Sequence, residues 1–478
     1  MILTLDLGTS RVKAAVWAAD GLVELAEVGL TTEHPAPGAA EQDPARWWDA
    51  VVAACAALRA RAPGRLDPVA VVSCTGARQT FGLFAADGTP TGPAIVWSDT
   101  RDAAVGTGAD AGADADAAGA GRAVSVVARL AWVAATRADQ LDRSVRILGP
   151  RDQVAWRLTG VAATDPTMAS LTGCYRPDGT VVDEAVRLVG DRLPPVFPAD
   201  GVLGTVVGAA AGELGVAAGV PVVLGAGDRP SEVLGTGASD QAAMVSWGTT
   251  ANVSLPVGVL PAPVPTGVVA TRAAVDGWLL EGGVSAAGSL LSWLARLCGR
   301  SSSELAGLAE ASPPGARGVT VAPWLGGARA PWWRPGAGAA FVGLTDTHGP
   351  GDLARAVFEA VARDIQRCLV RMAGREPPAP AVSALWLTGG GAETAAWTQV
   401  LTGTTGLPAR VRRSGQGASA GAALLGARAV GTPWDLETLD PVVHRCEVDP
   451  AAARRYAELA RHHDWVAGVL VDLEPPGR

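Results

Sequence analysis

The chain has 478 residues, 48% of them apolar, and a formal net charge of −8. That length suits two domains with sizeable cores, and the mild acidity without any Lys/Arg-rich block speaks against a nucleic-acid partner. The six cysteines stand far apart with no C-x-x-C pair, so neither a zinc ribbon nor a disulfide framework is indicated, and scattered thiols fit a reducing, cytoplasmic compartment.

The first residues, MILTLDLGTS, carry no basic n-region and reach an acid at Asp6, so they do not read as a signal peptide. ILTLDLG reads as a strand, GTSR as a tight turn, VKAAVWA as the returning strand and LVELAEVGL as a third. The only lysine, Lys13, sits beside this first glycine turn. In EQDPARWWDAVVAACAALRAR, Asp43 is a good N-cap and Pro44 suits N1, so an amphipathic helix follows. VAVVSCTG is fully apolar and is expected to be a central strand; AIVWSDTR is expected to be another. The stretch 102–121 is low in complexity and reads as a loop or weak helix. Its loose G-x-G-x-x-A match follows no apolar strand, so no dinucleotide site is expected there.

VPVVLGAGDRPSEVLG then runs from Val220 to Gly235. An apolar strand ends in Gly-Ala-Gly and is followed by Asp228, an expensive place for an unpaired charge. Asp228 either caps the next segment or does chemistry. The uncharged segment Gln241–Thr271 is broken by Pro256, Pro261, Pro263 and Pro265, so it reads as strand and loop rather than a membrane span. Within it, AAMVSWGTTANVSLPV repeats the opening shape: strand, glycine-hydroxyl turn, strand. VSALWLTGGGAETAAWTQV reads as strand, glycine turn and helix; GASAGAALLGARAVG reads as a small-residue helix suited to close packing. The tail DPAAARRYAELARHHDWVAGVL reads as a capped surface helix, with His462 and His463 as surface histidines. Strands and helices alternate throughout, so the expected class is α/β with two domains built on the same opening device, residues 1–235 and 236–478.

Two equivalent turns, Gly8-Thr9-Ser10 and Gly248-Thr249-Thr250, could offer N–H groups and hydroxyls to a polyphosphate across a cleft, or could be ordinary turn chemistry. Asp6 ends the first strand just before its turn. It either holds Mg²⁺ between itself and phosphate or bonds to its own turn. The Gly389-Gly390-Gly391 run is either a tight connection or a backbone that passes close to a flat ligand. A Walker A loop, a protein-kinase catalytic set and a G-x-S-x-G elbow are all missing from the sequence.

In this order the segments resemble the FGGY family of carbohydrate kinases over nearly the whole chain. DLGTSRVK and SWGTTANV are similar to its two phosphate motifs, EQDPARWW and AIVWSDTR to its N-terminal landmarks, and GAGDRPSEVLG to the segment carrying its catalytic base. The most specific match is GARAPWWRPGAGAAFVGLTDTHGPGDLARAVFE, with Ala339, Phe341, Gly343, Leu344, Asp352, Leu353, Ala356 and Glu359 at the family's spacing. The resemblance implies two ribonuclease-H-like, actin-like domains with ATP and Mg²⁺ in the cleft. It implies that Asp228 is the general base and assists the metal, and that Asp6 holds Mg²⁺ through water. Thr9, Ser10 and Lys13, with Gly8, would meet the phosphates from one side; Gly248, Thr249 and Thr250 would meet them from the other. Gly390, Gly391 and Ala392 would bracket the adenosine. The family suggests a homodimer; no membrane partner is expected.

The acceptor pocket departs from xylulokinase-like members. Where they carry Met-His-Gly, this chain reads TGARQTFGLF, and Arg78-Gln79 resembles the Arg-Glu pair of glycerol kinases. Beside the base stands Arg229 where xylulokinases have Asn. Two arginines could favour a sugar acid or a substrate rich in hydroxyls. Asp99 and Arg101 either line the pocket or form a structural pair. The competing readings are a pentulose kinase proper and, from another class, an actin-like ATPase or assembly protein without a sugar substrate.

Overall fold

The computed structural model describes residues 1–101, 125–374 and 382–473. The expected loop at 102–121 lies outside them. Strands β1 (Ile2–Leu7), β2 (Arg11–Ala18) and β3 (Gly21–Gly29) form an antiparallel meander. β4 (Val71–Gly76) runs parallel to β1 on its other side and is buried along its whole length, Ser73 and Thr75 included. Beyond it lie β6 (Pro221–Val223), parallel, and the edge strand β5 (Val202–Thr205), antiparallel, giving the order β3-β2-β1-β4-β6-β5. AIVWSDTR contributes only Ala94–Ile95 to a separate two-stranded ladder with Glu41–Gln42.

The second half repeats the plan. β7 (Ala242–Trp247), β8 (Ala251–Val257), β9 (Val269–Arg272) and β10 (Trp278–Val284) make the meander; β11 (Ala384–Thr388) and β12 (Ala409–Arg412) add in parallel, and β13 (Val442–Cys446) closes the edge antiparallel. The order is β9-β10-β8-β7-β11-β12-β13. Both sheets therefore carry a run of antiparallel strands (three in the first, four in the second) beside parallel ones, and the fold is α/β.

Strand alternation sorts the faces. Leu3, Leu5 and Leu7 of β1 pack under helix α1 (Ala45–Arg61), against Trp47, Val51, Ala54 and Leu58. That helix starts one residue after Pro44; Asp43 caps it by accepting the Ala45 N–H at 3.0 Å. Ile2, Thr4 and Asp6 of β1 point the other way. In the second sheet Ala243, Val245 and Trp247 face the core with Phe358 of the long helix α3 (Pro350–Ala373), while Met244 and Ser246 point the other way.

Between the sheets lie two helices, α2 (Asp228–Thr236) and α4 (Gly417–Ala429). Each packs on the other half's sheet: Ala420, Ala423 and Ala427 of α4 rest on Ile2, Trp17 and Val71, and Val233 of α2 rests on Met244 and Leu279. The two helices touch backbone to backbone. A Cβ on Gly421 would stand 1.9 Å from the Ser231 carbonyl oxygen, and one on Gly235 would stand 2.0 Å from that of Gly417. The small-residue composition of α4 is what permits this approach. Ser419 completes the seam, bonding Thr4 Oγ1 at 2.7 Å and accepting the Trp17 indole N–H at 2.8 Å.

Candidate active site

Asp228 opens α2, directly after the buried strand end Val223-Leu224 and the Gly225-Ala226-Gly227 turn. Its side chain is 43% exposed, so it is not sunk in the core, and Oδ1 accepts the N–H of Arg229 at 2.7 Å. It holds the first turn of its helix and still faces open space. Arg78, 3.6 Å away through Nε, is the nearest cation. The guanidinium of Arg78 is committed elsewhere: Nη1 and Nη2 donate to the two oxygens of Glu281 on β10, at 2.8 and 2.7 Å. This fork joins the two halves of the molecule. Burial opposes the Glu281 charge, but Arg78 and the Thr271 hydroxyl at 2.5 Å override it and hold the carboxyl below its ordinary range.

Asp6 faces the same side as Thr4 and lies opposite Lys13 in the ladder. Burial pushes its pKa up to about 7; Lys13 pulls it down, while Asp228, Glu232 and Glu27 push it up. Lys13 Nζ reaches across to Gln416 Oε1 at 2.8 Å, just before α4, and lies 3.7 Å from Glu27. In the first turn, Thr9 Oγ1 accepts the Trp97 indole N–H at 3.0 Å and its carbonyl accepts Gln42 Nε2 at 2.7 Å; Gly8 and Ser10 flank it. In the second turn, Gly248, Thr249 and Thr250 are all exposed. The carbonyl of Thr249 is held by the N–H groups of Ala287 and Ser289.

The glycine run after β11 has a packing reason. A Cβ on Gly389 would meet the Trp247 carbonyl oxygen at 2.5 Å, and one on Gly391 would meet the Trp247 ring at 2.5 Å. Gly390 faces open space and Ala392 is buried. The remaining acceptor candidates divide. Gln79 adopts a positive φ of 62° and donates to the Leu171 carbonyl at 3.2 Å. Arg229 turns back onto Glu232, which also accepts from Ser246 at 3.0 Å. Asp99 is buried and accepts from Ala40 N–H and Arg101, while Arg101 also holds Glu41 at 2.6 Å and lies over Trp132. The contacts of Asp99 and Arg101 are those of a structural pair. Glu281 escaped the sequence reading, although WLLEGGV shows the same signal as Asp228: one acid in an apolar run.

Residues 1–235 match the N-terminal domain model of the FGGY family of carbohydrate kinases, and residues 243–430 match its C-terminal domain model. The chain belongs to the FGGY family of carbohydrate kinases. Its members phosphorylate a sugar or polyol hydroxyl with ATP as donor, and this kinase does the same class of chemistry. It is 31% identical to the xylulose kinase of Escherichia coli K12, over 96% of both chains. It is also 31% identical to the glycerol kinase of Gloeobacter violaceus, over 76% of this chain and 75% of that one. The crystal structure of the xylulose kinase from Rhodospirillum rubrum superimposes with a TM-score of 0.87 at 27% identity, over 98% of both chains. The two-sheet plan is that of these kinases, and family membership sets aside the assembly-protein alternative. In the FGGY signature, Asp352 and Glu359 serve the framework of the kinase. Asp352 accepts Ser312 Oγ at 2.6 Å and the Gly349 N–H at 3.0 Å; Glu359 accepts the Gly315 N–H at 2.8 Å and Arg355 at 3.1 Å.

Proposed function

We propose that this kinase phosphorylates a small neutral ketose or polyol, with Asp228 as the general base. The observation that carries this reading is the Arg78–Glu281 fork beside Asp228. Two arginines stand near the base, and each is already matched by a carboxylate: Arg78 by Glu281 and Arg229 by Glu232. At Arg78 or Arg229 a substrate carboxylate would have to displace one of these pairs, whereas hydroxyls can bond to their remaining edges. Relatives named xylulose kinase and glycerol kinase take neutral acceptors, which supports the same class.

Phosphoryl transfer demands positioning and charge neutralisation more than covalent help. Asp228 would take the acceptor proton as that oxygen attacks. In this reading residues 1–235 bring acceptor and base, and residues 236–478 bring most of the nucleotide site: Gly248-Thr249-Thr250 for the phosphates, Gly390-Gly391-Ala392 for the adenosine. Gly8, Thr9, Ser10 and Lys13 close on the phosphates from the first half.

The residues also fit Mg²⁺. Burial, with Asp228 and Glu232 nearby, raises the cost of ionising Asp6, whose pKa is pushed up to about 7. Among the described residues no group of three His, Cys, Asp or Glu forms a metal cage. One or two carboxylates completed by water and phosphate oxygens are the donor set Mg²⁺ prefers. Asp6, with Asp228, would hold it, and the ion would neutralise phosphate charge. No helix among the described residues is long and apolar enough to cross a membrane.

ADP release, measured across ketopentoses, triols and sugar acids, tests the reading. Neutral acceptors should stimulate turnover. Asp228→Asn should cut sugar-dependent kcat by about 10²–10⁴-fold and leave ATP-analogue binding nearly intact. Activity confined to sugar acids, or an Asp228→Asn variant with normal turnover, overturns it.

A further inference from the structure

Arg329 is a cation of this cleft that the reading above leaves without work. Among the described residues its guanidinium has neither a carboxylate partner nor a hydrogen bond. Only its backbone is bonded, the N–H to Ser285 Oγ at 2.9 Å and the carbonyl to the N–H groups of Trp332 and Trp333. The guanidinium lies on Gly283 of β10: a Cβ there would stand 3.0 Å from Cζ and Nη2 and 3.2 Å from Nη1. A strand glycine is a weak choice for stability, and here it clears the floor on which a planar cation rests.

The position follows from strand geometry. Gly283 is two residues beyond Glu281, so it shares the face on which Glu281 grips Arg78, roughly 7 Å along the strand. Glu281 pairs with Ser254 and Gly283 with Asn252, so this step runs toward the Gly248–Thr250 turn. Arg329 therefore stands between the acceptor side and the expected phosphate turn. It is exposed to solvent on one side, and within the protein only Glu281 favours its charge. The residue reaches solvent, but the protein packed around it lowers its pKa, Arg229 lowers it further, and the carboxylate that opposes this, Glu281, is already forked by Arg78. A permanently charged, planar cation that lies in the cleft, reaches solvent and is tied to no carboxylate among the described residues is available to an anion with several oxygens.

We propose that Arg329 is a catalytic residue that grips the γ-phosphoryl group of ATP during its transfer. The proposal rests on the kinase site described above. In the step, the acceptor oxygen forms a bond to the γ-phosphorus and its proton passes to Asp228. The bond from that phosphorus to the bridging oxygen breaks, and its electron pair leaves on the terminal phosphate of ADP. Charge on the equatorial oxygens is then met by a guanidinium that needed no rearrangement to reach them.

The test uses Arg329→Gln, Arg329→Lys and Gly283→Ala in the full chain, each with its melting temperature. Gly283→Ala leaves the arginine present but pushes it off its floor, so it serves if Arg329→Gln fails to fold. With a neutral acceptor, Arg329→Gln should lower kcat by about 10²–10³-fold with the acceptor KM changed less than about threefold. Arg329→Lys should recover little, and Gly283→Ala should fall between. Calorimetric titration should show the preference for a non-hydrolysable ATP analogue over ADP reduced about tenfold in Arg329→Gln, with ADP binding unchanged. Normal kcat in Arg329→Gln overturns the proposal. So does a loss confined to sugar acids, which would make Arg329 a reader of substrate carboxylate. Should the wild-type chain show no acceptor-stimulated turnover, the functional reading fails, and the nucleotide titrations still judge Arg329.

Discussion

Asp6 shares the inter-domain face of β1 with Thr4, and its neighbours decide its charge. Burial raises its pKa, Lys13 only partly offsets that, and Asp228 and Glu232 add like charge, so the carboxyl titrates at about 7 in the ligand-free protein. Linkage gives the sign. An unfolded Asp loses its proton near pH 4, while the folded one keeps it to about 7. Stability is therefore unpenalised below pH 4, falls as pH rises from about 4 to about 7, and carries the full cost above that. A shift of this size corresponds to roughly 4 kcal/mol at most. Asp6→Asn removes the titration. The variant should melt higher than wild type at pH 8, with the gap closing toward pH 4–5, while losing phosphoryl transfer. Calorimetric melting across that range checks it; a gap that does not vary with pH contradicts the assignment. An energetically unfavourable carboxylate kept at this point is what a cation-binding role predicts.

At the scale of elements, α2 and α4 hold the halves together through missing side chains. Gly→Ala in a helix normally stabilises by up to about 1 kcal/mol. At Gly421 the added methyl would meet the Ser231 carbonyl oxygen, a backbone atom that cannot rotate away. The clash should win: Gly421→Ala should destabilise by about 1–3 kcal/mol and lower the melting temperature. Gly212, in an exposed stretch with nothing within 4 Å, is the control that should not. The close-packing helix was legible because composition alone reports it. The meanders and the central place of β4 were legible because apolar runs and glycine turns report strands. Asp228 stood out as an acid after an apolar run. Glu281 carries the same mark, but no glycine-hydroxyl turn or family motif adjoins it to point to a site. Arg329 lies at the start of the FGGY-like stretch, but the spacing there assigns it no role, and only folding lays it on Gly283. His463 is a further miss: an expected surface residue that is buried against Arg363 and Arg367, which with burial pull its pKa down to about 4. The polar neighbours His462 and Asp464 hide one inward position per turn.

Across the whole molecule, the Arg78–Glu281 fork is the contact that reports whether the two halves are correctly apposed. Arg78 follows β4 in the first sheet; Glu281 lies in β10 of the second. Both side chains are nearly buried, at 11% and 6% exposure, so the Coulombic gain is set against a large desolvation cost and the pair as a whole adds little net stability. Losing one member is different. Glu281→Gln leaves a buried guanidinium whose remaining carboxylate neighbour, Asp228, lies 3.6 Å away. Arg78 should then swing onto the base and occupy the lone pair that the acceptor proton needs. Two losses are expected together: about 3–5 kcal/mol of stability and most of kcat. Replacing both residues, as Arg78→Met with Glu281→Leu, should return much of the stability because no charge is stranded, yet leave kcat low, since the acceptor pocket has lost its polar edge. A double-mutant cycle read by melting temperature and by kcat separates the two effects. If stability losses simply add, the halves are not coupled through this fork. If kcat recovers along with stability, the fork is only a strut, and Asp228 works without it.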